Sequence, residues 1–222
     1  MGRMPVASEM PNPPSPRRSY RSKVRRGEAS TAIIEAAGRL FSSRGFAATS
    51  IEEIAREAGV ARPTVFAAVG TKAAIFQEVL EAALVGDGPA APVEAQPWFL
   101  EVLAQRDQRR LLRVFVHAVR GIGERISDLY WAAEVASEHD DEVRELWRTI
   151  DDERLAAGRP IARTLRDLGP LRGGVGGDAE VAVAITTMAS PAIWRALVRD
   201  AGWSPQQFED WVTDALCRML LP

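Results

Sequence analysis

From Gly27 to the C-terminus the apolar residues of this chain return every three or four positions, and no stretch alternates apolar with polar as a half-buried strand does. That periodicity restricts the fold to packed helices, each with an apolar stripe that its neighbours must cover. Ile33, Ile34, Ala37, Leu40 and Phe41 mark a first helix, with Gly45 as its C-cap. Ser50 and Glu53 form a capping box for a short second helix with Ile51, Ile54 and Ala55 inward, ending near Ala58. Gly59, Val60 and Ala61 make a turn, and Pro63 opens a third helix with Val65, Phe66 and Val69 on its inner side. Thr71 is placed to cap a fourth, whose buried positions are Ile75, Phe76, Val79, Leu80 and Ala83. Beyond the Gly- and Pro-rich segment 86–92, helices are expected at 98–104, 107–125, 127–137, 140–168, 178–199 and 204–220. Gly158 with Pro160 should kink or split the fourth of these, and Pro191 should kink the fifth.

The 222 residues suffice for a small domain plus a larger one, and 46% apolar with 26% charged residues excludes collagen-like, wholly disordered and disulfide-scaffold chains. Cys217 is the only cysteine, so an intrachain disulfide and a thiolate metal cluster are both excluded, and a reducing cytoplasm is the natural compartment. No uninterrupted apolar run approaches the ~20 residues of a membrane span, and the N-terminus lacks the apolar stretch of a secretory signal. A cytoplasmic protein with no membrane partner is expected.

Charge is informative once divided along the chain. Residues 1–72 hold 12 Lys/Arg against 6 Asp/Glu, whereas residues 73–222 hold 16 against 24, giving +6 and −8. A basic end on an acidic body suits a polyanion at one end only, and nucleic acid is the first candidate. Residues 1–26 combine five prolines with Arg17, Arg18, Arg21, Lys23, Arg25 and Arg26, and read as a disordered basic arm. Such an arm serves either as a solubilising tail or as a contact to the DNA backbone or minor groove.

Ala55, Gly59 and Val65 supply what a helix-turn-helix needs: a small residue where helices approach, a glycine in the turn and an aliphatic wedge. With these buried, Arg62, Pro63, Thr64 and Ala67 project from the first half of the third helix, where a recognition helix meets base edges in the major groove.

The stretch from Ala32 to Leu80, including the Gly45-Phe46 turn, the Thr49-Ser50 entry, Ala55, Gly59-Val60, Thr64 and Lys72, resembles the DNA-binding region of the TetR family of bacterial transcriptional regulators. The resemblance implies an all-α protein with a three-helix helix-turn-helix domain at 27–72 and a helical bundle for ligand binding and dimerisation at 73–222. It implies that Thr49 or Ser50, Thr64 and Lys72 contact phosphates of double-stranded DNA and that Arg62 and Pro63 face the bases. Phe66 is expected on a sugar or in the core. The chain departs from the family pattern where Tyr-x-Tyr-Phe or Tyr-x-His-Phe commonly follows the threonine: it has Phe66, Ala67, Ala68 and Val69 there, so polar phosphate-bonding groups are missing at two positions.

Helical bundles hold small molecules between helices, among apolar and aromatic groups with few polar ones. Phe115, His117, Tyr130, Trp131, Trp147, Met188 and Trp194 are the candidate effector-binding residues, favouring an apolar or aromatic effector; each fits an ordinary packed core as well. The run Glu138-His139-Asp140-Asp141-Glu142 has divalent-metal ligand types, but Asp140 as helix cap with two acids in the first turn accounts for it without an ion. Two histidines, no Gly-rich phosphate loop and no nucleophile-elbow pattern leave no catalytic residue, metal or cofactor to assign. The resemblance further implies a homodimer through the last two long helices, where Val181, Ile185, Met188 and Trp194 precede a stripe of Phe208, Trp211, Val212, Ala215, Leu216 and Met219. The expected function is a homodimeric repressor released from a palindromic operator by a small molecule. The alternative is a degenerate member acting through protein partners without ligand-controlled DNA binding.

Overall fold

The computed structural model describes residues 17–86 and 91–222, with 17–26 as helical backbone only, and every regular element among them is helical. In chain order these are α1 (Arg17–Arg44), α2 (Ile51–Glu57), α3 (Arg62–Ala68), α4 (Lys72–Val85), a short 3-10 turn at Val93–Ala95, α5 (Pro97–Leu103), α6 (Gln108–Ser137), α7 (Asp141–Asp167), α8 (Asp178–Met188), α9 (Pro191–Trp194) running into a π-helical segment Arg195–Asp200, and α10 (Pro205–Leu220).

Local signals decide most of the boundaries. Gly45 and Gly59 adopt positive φ of 82° and 67°, the left-handed conformation that ends α1 and makes the α2–α3 turn. Capping boxes form at Ser50/Glu53 and Ser204/Gln207, and Thr71 and Asp140 cap α4 and α7 through Ala74 N and Val143 N.

Four expectations change. First, α1 begins at Arg17, so residues 17–26 extend the helix instead of forming part of a disordered arm. Once Ile33 to Phe41 are packed, further turns need only propagation, and no proline interrupts the sequence between 17 and 62. The rest of that arm, 1–16, and positions 87–90 of the loop at 86–92 lie outside the described residues. Second, α6 is one helix of 30 residues where two were expected, because buried Ile126 continues the apolar face across the junction. Third, α7 is not split at Pro160, and its following turns are held by fully packed Ile161, Ala162 and Leu165. Fourth, the expected 178–199 helix is broken rather than kinked: Ser190 caps a new start by accepting from Ile193 N, and Pro191 occupies the first helical position of α9. The segment Asp178–Asp200 is, by length and composition, apolar enough to cross a bilayer, with a mean hydropathy of 1.5 over its best window. Here Val181, Ala182, Ile185 and Trp194 lie in the protein core and the helix is interrupted.

Two hydrophobic cores result. The N-terminal one joins α1–α4 around Phe41, Phe46 and Phe76, whose ring centroids lie 4.9–5.6 Å apart. It also takes in Leu129, Ala132, Ala133 and Ala136 from the second half of α6 and Val143 of α7. The C-terminal core packs α5, the first half of α6, the second half of α7, α8, α9 and α10 around Leu112, Ile161, Ile185, Phe208 and Leu216. Helix α6 is therefore shared, and α4, counted by sequence with the second domain, buries Ala73, Ile75, Phe76, Val79 and Leu80 in the first.

Candidate nucleic-acid interface and effector cavity

The α2–α3 turn is closed by backbone bonds from Ala58 N to Ile54 O (2.9 Å), Gly59 N to Arg56 O (3.2 Å) and Val60 N to Ala55 O (2.9 Å). Buried Ile54, Ala55 and Val65 then fix the rotation of α3. Its outer face presents Arg62, Pro63, Phe66 and Ala67, all exposed, with Thr64 half-buried beside them. Phe66 is 46% exposed rather than inward, because Val65 already fills the wedge against α1 and the next side chain along a helix points about 100° away. Its ring lies under the Arg62 guanidinium at 5.5 Å. Glu52 of α2, a residue the sequence pattern gave no reason to single out, receives Arg62 Nε at 2.7 Å and aims the guanidinium across the turn.

The expected phosphate ligands divide. Thr49 is 1% exposed and its hydroxyl donates to Gly45 O at 2.9 Å, so it locks the α1–α2 turn and presents no surface to a phosphate. Ser50 Oγ caps α2 while bonding Glu53 Oε2 at 2.9 Å. Glu53 is held below the usual carboxylate range by the Ser50 backbone and hydroxyl bonds first, then by Arg44 and Arg56. Lys72 stands half-buried with Nζ 4.1 Å from the Phe46 ring centroid. Burial lowers its pKa, with Asp140 and Glu53 opposing the shift. Around the turn, Arg39, Arg44 and Arg62 are each paired with an α2 glutamate, Glu57, Glu53 and Glu52. The unbalanced positive charge of this end therefore comes from the six basic residues of the sequence 17–26.

In the C-terminal half, a cavity of about 140 Å³ opens between α4, α5, α6, α7 and α8. Its wall is almost wholly hydrocarbon: Leu84, Trp98, Phe99, Phe115, Val119, Ile122, Ile126, Ile150, Ala157 and Ile161. Gly158 lets α7 and α8 approach there, since a Cβ at this position would meet Thr186 Cγ2 at 2.7 Å. Tyr130 adds one phenol, whose Oη donates to Asp151 Oδ1 at 3.1 Å and whose pKa is pushed up to about 12, chiefly by burial.

Of the seven aromatic, histidine and methionine candidates, Phe115 and Tyr130 line this cavity. Trp147 stacks edgewise on Tyr130 at 4.3 Å from behind, and Trp194 packs on Phe208 in the core, with Met188 at that core's edge. Trp131 is 47% exposed beneath Arg195, and His117 faces α10, with Nδ1 3.1 Å from Glu209 Oε2. Those five rotate out of reach because consecutive helical positions turn away from one another. The lining that sequence reasoning missed is mostly aliphatic, and aliphatic positions look alike whether they face a cavity or a filled core. The acidic run holds no convergent ligand set: Asp140 caps α7, Asp141 pairs with Arg144, and Glu142 accepts from Thr71 at 3.2 Å. No group of three metal-ligating side chains forms among the described residues.

On the outer surfaces of α8 and α10, Val183, Trp211 and Met219 are exposed. Phe208, Val212 and Leu216, expected in the same stripe, are buried within the chain, as are Val181, Ile185 and Trp194.

Residues 33–79 match the family model of bacterial regulatory proteins, tetR family. A protein of Saccharomonospora viridis described as a transcriptional regulator, solved with choline, superposes with a TM-score of 0.68 at 19% identity, over 88% of this chain and 99% of that one. NalD of Pseudomonas aeruginosa, the secondary repressor of the MexAB-OprM multidrug efflux pump, gives 0.65 at 22% identity, over 88% and 96%. SmeT in complex with triclosan, from the repressor of the Stenotrophomonas maltophilia efflux pump SmeDEF, gives 0.64 at 21% identity, over 87% and 92%. No curated protein sequence matches the chain.

Proposed function

We propose that the chain is a TetR-family transcriptional regulator, a homodimeric repressor that leaves a palindromic operator when a small molecule enters the cavity between α4, α6, α7 and α8. The observation that carries this reading is the course of α4. Thr71 caps its first turn two residues after the reading helix region ends at Val69, and Leu84 in its last turn lines the cavity, about 20 Å further along the axis. A ligand pressing on Leu84 therefore acts on the helix that carries the reading head.

On DNA, Arg62 with Pro63 faces base edges, its guanidinium suited to guanine O6 and N7, while the basic residues of 17–26 and Lys72 meet phosphates. Arg62 must exchange Glu52 for a base, so Glu52 penalises the wrong sequence as much as it aims the side chain. Dimerisation through α8 and α10 would cover Val183, Trp211 and Met219 and set the spacing of two recognition helices. The relatives solved with choline and triclosan, and the two described as efflux-pump repressors, support a small-molecule effector and a repressing role. Release requires the effector to bind the DNA-incompetent conformation more tightly, and that difference bounds the loss of repression.

Selection of bound genomic fragments by the purified protein tests the reading. A palindromic site whose specificity relaxes at one position in Arg62→Ala, by about 1–3 kcal/mol, is expected. Lys72→Ala should weaken all sequences alike and flatten the salt dependence by about one phosphate contact. Absence of any enriched sequence at low salt overturns the operator and points to a member acting through protein partners.

A further inference from the structure

The cavity constrains the charge and size of its occupant, and this inference rests on the reading above that the cavity is the effector site. Its polar groups are already engaged with one another. Arg154 gives Nε and Nη2 to Asp151 Oδ1 at 3.1 and 2.7 Å and Nη1 to Thr186 O at 2.7 Å. Tyr130 donates to the same carboxylate, and the Thr186 hydroxyl donates to Ala182 O at 2.7 Å. The arginine charge is thereby neutralised before any ligand arrives, and a carboxylate ligand would have to displace Asp151 to reach it. The remaining ionisable group of the lining, Glu153, is exposed at the rim, where water solvates it. An ionised ligand would shed its hydration against hydrocarbon with no unpaired partner in return, which the interior penalises heavily. The volume, about 140 Å³, is that of a dry apolar cavity that accepts a single benzene ring.

We propose that the effector is a compact, uncharged, apolar molecule, of one ring or an equally bulky branched hydrocarbon, rather than an organic cation or carboxylate. The satisfied Tyr130–Asp151–Arg154–Thr186 chain works as a polar lid on one wall that a neutral ligand leaves intact and an ion disrupts.

Toluene, benzylammonium and benzoate share a ring and differ in charge, so titrating each into the full-length protein by calorimetry separates the cases. Toluene is expected to bind about 100-fold more tightly than either ion, the discrimination set by burying an unpaired charge. Two independent fillings of the cavity, Ala157→Leu and Val119→Phe, should each weaken toluene at least about tenfold while the thermal transition persists. Benzoate or benzylammonium binding as tightly as toluene overturns the neutral class while leaving the cavity as the site. So does finding that none of the three binds, if operator release by another compound is blocked by both fillings. Toluene binding or operator release that ignores both fillings overturns the effector-site reading itself.

Discussion

Replacing Gly158 by alanine opposes two effects whose sizes differ. In a helix interior alanine is favoured over glycine by about 0.5–1 kcal/mol. At this position the added Cβ would lie 2.7 Å from Thr186 Cγ2, 3.1 Å from Ala182 O and 3.2 Å from Ala182 Cβ. The first distance is well inside the roughly 3.5–4.0 Å optimum for two carbons. Thr186 cannot swing aside, because it is buried and its hydroxyl holds Ala182 O at 2.7 Å, so α7 and α8 must part. Overpacking of this kind costs about 1–3 kcal/mol, so the clash wins and the net loss is about 1–2 kcal/mol. For a chain of this size that lowers Tm by roughly 2–8 °C. Thr186→Ser alone should cost about 0.8 kcal/mol for the lost methyl. Combined with Gly158→Ala it should restore stability, because the new methyl occupies the vacated space. Circular dichroism melts of the four proteins at one concentration give the cycle. A Gly158→Ala variant that melts higher than wild type, or a double variant that is strictly additive, refutes the close-approach argument.

Other consequences are separable. Arg125 donates Nε to Ala83 O at 2.9 Å and Nη2 to Leu84 O at 3.3 Å, clamping the end of α4 to α6. Arg125→Ala should keep operator affinity without effector but shrink the effector-induced change by about 2–30-fold, and an unchanged ratio rules out the clamp as transmitter. Trp211→Glu, at a side chain 45% exposed on α10, should convert the proposed dimer to monomer by light scattering and weaken operator binding; a persistent dimer places the interface elsewhere. The lowered Glu53 pKa stabilises the folded state fully above its ordinary value of 4.5, and this contribution disappears as pH falls through the depressed folded value. Glu53→Gln should therefore flatten the acid side of the stability profile, and an acid limb identical to wild type removes Glu53 from it.

The sequence alone determined the features whose cause lies within a few residues. The Ser50/Glu53 box, the Thr71 and Asp140 caps and the left-handed glycines at 45 and 59 are local hydrogen-bond and backbone facts, and each stands where the pattern put it. The helix-turn-helix was legible for the same reason: Ala55, Gly59 and Val65 constrain one another over eleven positions, and an exposed Arg62 follows from the burial of Ala55 and Val65. Only the tertiary structure decided which apolar side chains face one another. Helical periodicity tells that Val119, Ile122 and Ala157 turn inward, but whether the space beyond is filled depends on the crossing of α7 and α8 at Gly158, residues apart in sequence and joined by packing. The same physics moved Trp131 and His117 off the cavity, drew the second half of α6 into the N-terminal core, and let α7 run through Pro160, since burial on both sides outweighs one missing backbone bond.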